Sequence, residues 1–321
     1  RRKLTEEFPD GKVDMKKLLI SMCMAASCML THAQNCDIPI QVVIPDGIEG
    51  MTPQSANYMK NVLRRVLVSG NDVTQFTNSQ FGIVVKSDIV DKHIIAGAPQ
   101  KTVMNLSLTL YIGDVQQGTL FSSYSMDVNG VGDNDTKAYN SAIRRLNAQN
   151  RNLTDFVANG KKKIIEWYDN NYQTIIKKAK TAASIRNYEE ALYALLSVPE
   201  CSKGYDAAVA QVKIVYKQYV DRQCEENLAQ AQAAWMTGFS KENAAVASVF
   251  LSEIYPDATC YSEAMKLVQE IKRHMGDEWK FEIKQWSDLA SVESQRLTYA
   301  KEIAMAYAQN QPQQVIHLLY R

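Results

Sequence analysis

Histidine is the scarcest of the residues that commonly carry enzyme chemistry in this sequence. The chain has 4 histidines, and His32 falls in the N-terminal segment interpreted below as a leader. The others, His93, His274 and His317, have no serine or cysteine motif beside them that would supply a nucleophile. An HExxH motif, a Walker loop and an EF-hand loop are also missing. We therefore predict no catalytic residue, no metal site, no cofactor and no enzyme activity.

The sequence also has no excess of charge of either sign. Its 36 Lys and Arg residues nearly balance its 35 Asp and Glu residues, so no overall field favours nucleic acid or an anionic surface. The lysines of Lys161–Lys163 are interpreted as a solvated helix face. Gly130-Val131-Gly132 lacks the third glycine of a dinucleotide fingerprint, and Asp133 and Asp135 would repel a phosphate. We expect neither a nucleotide nor a nucleic-acid partner.

Long apolar runs are absent except near the N-terminus. There Met15-Lys16-Lys17 is followed by the apolar run Leu18–Leu30 and by the small residue Ala33. This order is typical of a cleaved signal peptide, and the run is shorter than the roughly 20 residues of a membrane span. We predict a signal peptide over 15–33; an N-terminal anchor or a core helix is the alternative. The polar residues 1–14 are interpreted as an upstream extension that is not native.

Export has consequences for location and for anchoring. We expect a mature chain without a transmembrane span, located in the periplasm, at the outer membrane or outside the cell. The segment Ala25-Ala26-Ser27-Cys28 loosely resembles a lipoprotein box, with Ala25 where Leu is usual. A lipid anchor at Cys28 is therefore the alternative to cleavage after Ala33.

The cysteines are not spaced as in a metal site or a redox motif. Of 6 in the chain, Cys36, Cys201, Cys224 and Cys260 follow the predicted leader, with no CxxC pair and no nearby histidine. Because exported proteins meet an oxidising compartment, Cys201, Cys224 and Cys260 are candidate disulfide cysteines. Their pairing stays open, and small buried thiols are the alternative.

The segment 34–154 has the pattern of an α/β sandwich domain. A strand is predicted at 38–44, a helix at 55–68 and a strand at 81–85. Alternating residues at 103–112 and 119–128 predict a hairpin, because the connection 113–118 is rich in turn-forming residues. A final helix is predicted at 137–146, after residues whose side chains can accept from the amides of its first turn.

Two short motifs give this half a family resemblance. Asp114–Gly118 forms the predicted hairpin connection, and Gly130-Val131-Gly132 precedes the helix Lys137–Leu146. In this the segment resembles the periplasmic sandwich domain of curli-secretion and TolB-like N-terminal proteins. The resemblance implies binding to or assembly with envelope proteins, and it carries over no catalytic residue.

The segment 155–321 changes to helical spacing and contains a repeat. Asn187–Leu192, ending at Val198-Pro199, looks like the second helix of a tetratricopeptide unit. Echoes of it run from Gly238 to Tyr255-Pro256 and from Ala306 to Pro312, and the phrases Tyr205-Asp206-Ala207-Ala208 and Tyr261-Ser262-Glu263-Ala264 follow the prolines.

The repeat is longer than the usual tetratricopeptide period of about 34 residues, so we predict elongated first helices alternating with short ones. An apolar stripe from Tyr261 to Tyr307 predicts a long helix. Gly276 lies within this stripe and would bend or break the helix. The fold class is thus α+β: a small α/β sandwich followed by an all-α, tetratricopeptide-like array.

Aromatic residues supply the candidate contact surface. The chain has 16 tyrosines and 4 tryptophans, and all tryptophans lie in the helical half. The candidate partner-binding residues are Tyr188, Tyr205, Trp235, Tyr261, Trp279 and Trp286. Filling the seams between helices is the alternative role.

These observations lead to two main hypotheses of function; a third, an enzyme of unknown type, would require polar residues that converge in a deep pocket. The first is an exported cell-envelope scaffold that binds other envelope proteins of unknown identity through both halves, or self-associates as a homo-oligomer, without catalysis. The second is a periplasmic carrier or sensor of a small molecule or glycan, bound between the two domains.

Overall fold

A computed structural model describes residues 38–68, 79–147 and 149–311. The predicted extension 1–14, the signal peptide 15–33, Cys28, Cys36 and His317 lie outside these ranges. In chain order the elements are β1 (Ile40–Val43), α1 (Pro53–Val68), β2 (Phe81–Ile95), β3 (Lys101–Asp114), β4 (Leu120–Gly132), α2 (Asp135–Ile143), α3 (Arg151–Ser184), α4 (Tyr188–Leu196), α5 (Tyr205–Met236), α6 (Lys241–Ser252), α7 (Tyr261–Met275) and α8 (Val292–Gln309), with a 3-10 turn at Gly276–Glu278.

The first half is a mixed sheet covered by helices on one face. Its 4 strands lie in the order β1-β2-β3-β4, with β1 parallel to β2 and the other pairs antiparallel. Along β3, alternate residues from Met104 to Ile112 are buried, because they face α1, α2 and the first half of α3. The predicted order of strand, helix, strands, hairpin and helix is confirmed, as is the α+β class.

Strand β2 differs from its prediction. The sequence predicts a strand that stops at Val85, whereas β2 continues to Ile95 and stays paired with β3. The second half of β2 extends past the helices, so both of its faces are largely exposed and its residues no longer alternate in polarity. A bulge between Ile89 and Asp91 also shifts the pattern.

Glycines 130 and 132 have a packing role. They lie at the end of β4, where α2 crosses so closely that a Cβ at Gly130 would come 2.1 Å from the Ala138 carbonyl oxygen. Asn134 caps α2 by accepting a hydrogen bond from the Lys137 amide at 2.9 Å. Close helix–strand packing therefore accounts for the Gly-Val-Gly segment.

Helix α3 joins the two halves. It has 34 residues, and the predicted domain boundary at 154/155 falls within its first turn. Its first half packs on the sheet through residues such as Leu153 and Ile164, whereas Ala179 and Ala182 belong to the core of the helical half. The division into two domains stays a prediction.

The helical half alternates long and short helices. The 34 residues of α3 precede the 9 of α4, and the 32 of α5 precede the 12 of α6. The phrases beginning at Tyr205 and Tyr261 open α5 and α7, so the two echoes occupy matching places. Family membership among tetratricopeptide proteins stays a prediction. None of the helices in the described residues is long and apolar enough to cross a bilayer.

The stripe from Tyr261 to Tyr307 is not one helix. Gly276 adopts a φ of +71°, in the left-handed region, and ends α7. The chain between the 3-10 turn and α8 is irregular and contains Trp279, Trp286 and Leu289. Gln295 holds it by accepting from the Ser287 amide and by donating to the carbonyl oxygens of Ser287 and Ala290.

A disulfide joins Cys224 of α5 to Cys260, the residue before α7, with 5.9 Å between their Cα atoms. Cys201 is also disulfide-bonded. The Cys224–Cys260 bond therefore ties α5 to the start of α7 through two cysteines that are 36 residues apart in the chain.

The close packing of α2 on β4 predicts a steep cost for a methyl group at Gly130. We expect Gly130→Ala to lower the free energy of unfolding by about 3 kcal/mol, because the contact is with backbone that cannot rotate away. Urea unfolding followed by circular dichroism measures this. Gly97→Ala is the control, since its Cβ would meet only the Pro99 carbonyl oxygen at 3.4 Å; equal effects of the two variants would contradict the packing role.

The disulfide predicts a second stability effect. Replacing both Cys224 and Cys260 by alanine should lower the free energy of unfolding by about 3 to 4 kcal/mol, because the unfolded chain loses a closed loop. The double variant is preferable to chemical reduction, which would also break the bond of Cys201. Urea midpoints of the oxidised parent and the variant measure the difference; coinciding midpoints would contradict it.

Candidate functional site

A cleft of about 560 Å³ opens where the β3–β4 turn meets the helical half. The turn contributes Gln116, Gln117 and Thr119, α3 contributes Trp167, Ile175, Lys178, Ala179 and Ala182, α4 and the residue after it contribute Glu190, Tyr193, Ala194 and Ser197, and the C-terminal side contributes Tyr307 and Gln311. We call this the junction cleft. It is the candidate functional site because it combines apolar walls with unpaired polar groups.

Asp114 shapes the turn that borders the junction cleft. This last residue of β3 is 1% exposed, and its Oδ1 accepts hydrogen bonds from the amides of Gln116 and Gln117 at 2.9 and 2.8 Å. Its Oδ2 accepts a third from Gln80 Nε2 at 2.6 Å. Burial raises the pKa of the Asp114 carboxyl, although these hydrogen bonds act in the opposite direction.

Gln80 carries the connection from the turn to α3. Its Nε2 also donates to the hydroxyl of Tyr168 at 2.7 Å. The Tyr168 ring packs edge-on against Phe81 and Trp167, with centroid distances of 5.9 and 4.8 Å. A buried polar chain and an aromatic cluster thus fix the turn against the middle of α3. We call Asp114, Gln80 and Tyr168 the junction network.

Two oxygen atoms of the junction cleft have no partner. In the described part of the chain, 4 buried side-chain oxygens make no hydrogen bond, and two of them, Gln116 Oε1 and the Tyr193 hydroxyl, belong to residues that line the junction cleft. Burial raises the pKa of Tyr193, with smaller contributions from Asp114 and Tyr307, so its phenol stays neutral at physiological pH. An unpaired buried group costs about 1–3 kcal/mol, which a bound ligand would offset.

The walls and rim of the junction cleft define what it can bind. Trp167, Ile175 and small alanines supply apolar surface, and the rings of Tyr193 and Tyr307 lie 5.8 Å apart. Lys178 and Glu190 are exposed at the rim and carry opposite charges. The site therefore combines apolar contact with two residues, Gln116 and Tyr193, whose buried side-chain oxygens have no partner; neither histidine nor cysteine is among the described residues that line it.

The six aromatic residues predicted to bind partners do not converge on the junction cleft. Trp235 is 1% exposed, and its Nε1 donates to Glu270 at 3.0 Å. The Tyr261 hydroxyl donates to the Lys284 carbonyl oxygen. The others are partly buried: Trp279 contacts Phe281, Trp286 contacts Tyr299, Tyr205 donates to Glu200, and Tyr188 packs on the helical core. Their role in binding stays a prediction.

The residues that line the junction cleft are not recognisable from the sequence. Its patterns place Gln116 only in a turn and Tyr193 only in a short helix. Tyr307 stands more than 100 residues from either in the sequence. His93, the histidine nearest a loop of the sheet, contacts Asp91 at 3.0 Å on the exposed part of β2.

The raised pKa of Asp114 predicts a pH dependence. Because the folded state takes up this proton at a higher pH than the unfolded state, Asp114 contributes stability at low pH that is lost as pH rises through its raised folded pKa. The substitution Asp114→Asn keeps the Oδ1 acceptor and replaces the carboxyl by an amide that does not titrate. We expect the free energy of unfolding of the parent, minus that of the variant, to grow as pH falls from 7 towards 4. Urea titrations at several pH values measure it, and a flat or opposite trend would contradict burial of the carboxylate.

Comparison with known proteins adds little to this geometry. No protein-family model matches the chain. No curated protein matches it either. A solved structure from Caulobacter crescentus CB15, described as a "putative lipoprotein", shares 14% identity over 37% of this chain and 90% of its own, with a TM-score of 0.26. A score this low carries no argument about fold or function.

Proposed function

We propose that this chain is an exported cell-envelope scaffold that binds a segment of another envelope protein in the junction cleft, without catalysis. The single observation behind the proposal is the pair of unpartnered oxygens, Gln116 Oε1 and the Tyr193 hydroxyl, beside apolar walls. A polypeptide backbone supplies the complement, because each residue offers an N–H donor for the amide oxygen and a carbonyl acceptor for the phenol.

Two features support export. The pattern Met15 to Ala33 is that of a signal peptide, and the Cys224–Cys260 disulfide suits an oxidising compartment. Periplasmic, outer-membrane-associated and secreted locations all agree with both features.

The surroundings of the junction cleft favour a protein partner. Stacked helix pairs bind extended or helical segments along their surfaces, with aromatic side chains as anchors. The junction cleft places Trp167 and Tyr307 at such positions and adds rim charges of both signs, Lys178 and Glu190. Opposite rim charges help to orient a polar segment, whereas the apolar walls hold its side chains.

The Tyr193 hydroxyl gives the sharpest test. We expect Tyr193→Phe to raise the free energy of unfolding by about 1 kcal/mol, because it removes an unpaired buried group, and to weaken partner binding about fivefold. A photo-reactive residue at the exposed position Gln117 would report binding as a covalent adduct in intact cells. A residue introduced at Leu289, which is 98% exposed and outside the junction cleft, gives the background.

Tyr216→Phe is the matched control. Its hydroxyl is also buried and unpaired but lies outside the junction cleft, so the variant should gain stability and leave the adduct unchanged. Equal adduct yield in the Tyr193 variant and the parent would contradict the proposed binding site.

A small-molecule or glycan carrier is the second candidate. The same two oxygens and a volume of about 560 Å³ also fit a compact polar ligand. Native mass spectrometry of the purified chain distinguishes the two functions. A small adduct that disappears in Tyr193→Phe would support the carrier, whereas an unliganded chain that forms protein adducts at position 117 would support the scaffold.

A further inference from the structure

The outer edge of the sheet is formed by β4 in the described part of the chain. This strand runs over 13 residues from Leu120 to Gly132. It contains a single charged residue, Asp127, and no proline. Edge strands of soluble monomers are usually blocked by lysines, prolines, bulges or short length. From Ser122 onwards β4 has none of these, and its register with β3 is regular.

The opposite side of the sheet is protected in the usual way. β1 pairs with β2 only as far as Val84, and no other strand of the described ranges pairs with the remainder of β2 on that side. That part carries the bulge between Ile89 and Asp91 and a series of charged residues, namely Lys86, Asp88, Asp91 and Lys92. By contrast, β4 carries a single charge and keeps a regular register with β3 from Ser122 onwards.

The surroundings of β4 leave room for such a strand. A groove of about 750 Å³ lies along Met126 to Asn129, beside the loop between α2 and α3. A second groove, of about 480 Å³, lies between Ser122–Tyr124 and α3. Together they lie along both halves of the edge, and only towards its far end is the strand covered, where Gly130 is buried against α2.

The side chains of β4 form two distinct rows. Tyr124, Met126 and Val128 pair with the buried leucines of β3 and lie on the helix-covered face. Ser123, Ser125, Asp127 and Asn129 are exposed on the other face. An added strand must therefore be apolar at every second position and must not place a carboxylate opposite Asp127.

We propose that β4 pairs antiparallel with β4 of a second copy, across a two-fold axis at Met126, to give a continuous eight-stranded sheet. This register places Tyr124 opposite Val128 of the second copy on the helix-covered face. On the exposed face it places the Ser125 hydroxyl opposite the Asp127 carboxylate, and Ser123 opposite Asn129. A register centred on Asp127 would oppose two carboxylates, and a slip of one residue would place polar side chains against the apolar row.

The pairing is tested by charge exchange at an exposed position. The Ser125 side chain is exposed and its hydroxyl lies 3.0 Å from the Thr109 hydroxyl in a solvent-exposed hydrogen bond on this face, so substitutions there should leave the fold intact. We expect the purified chain to sediment as a dimer. Ser125→Asp creates two carboxylate pairs across the axis and should raise the dimer Kd about tenfold. Ser125→Lys, which faces Asp127 instead, should leave the Kd equal or lower.

A double variant separates pairing from general damage. Combining Ser125→Asp with Asp127→Lys restores opposite charges across the axis, and it should return the Kd to that of the parent. Thermal unfolding of each variant verifies the fold. The proposal is overturned if the parent is a monomer at its highest soluble concentration. It is equally overturned if Ser125→Asp leaves the Kd unchanged, or if the double variant folds but does not restore the dimer.

Discussion

The structure depends on one constraint, the continuity of helix α3 through two hydrophobic cores. Its first half covers the sheet and its second half is part of the helical array, so 34 residues of unbroken helix fix the distance between the two. The junction network, Asp114, Gln80 and Tyr168, ties the β3–β4 turn to the middle of this helix. The junction cleft lies between this turn and the helical array, and two of its lining residues, Gln116 and Tyr193, carry a buried side-chain oxygen without a partner.

Much of the fold could be predicted from residue patterns. Alternation along β3 and helical spacing after 155 are consequences of burial on one face, and both are visible in a single sequence. The full extent of β2 could not be predicted. Its second half extends past the helices, so it lacks the alternation that burial on one face imposes. Whether Gly276 bends or breaks the helix could not be decided from the sequence. Glycine permits a left-handed φ, and the helix ends there because the irregular segment that follows packs separately.

The candidate site could not be predicted in the same way. It brings together a turn, two neighbouring helices and Tyr307 of α8, which no local pattern connects. The helical spacing of the aromatic residues is compatible with contacts between helices and with a binding surface. Trp235 shows why these two roles are hard to separate: it is buried with its Nε1 hydrogen-bonded, yet its spacing is compatible with either role. Unpaired polar atoms become visible only when their surroundings are known.

Native-state hydrogen exchange of the oxidised chain tests the continuity of α3 most directly. If this helix is shared by both cores, amides between Gly160 and Lys180 should exchange with the same free energy of opening as the amides of β3, since both require global unfolding. Faster exchange confined to the stretch between the two cores, with β3 still protected, would contradict the account, because sheet and helical array would then open independently.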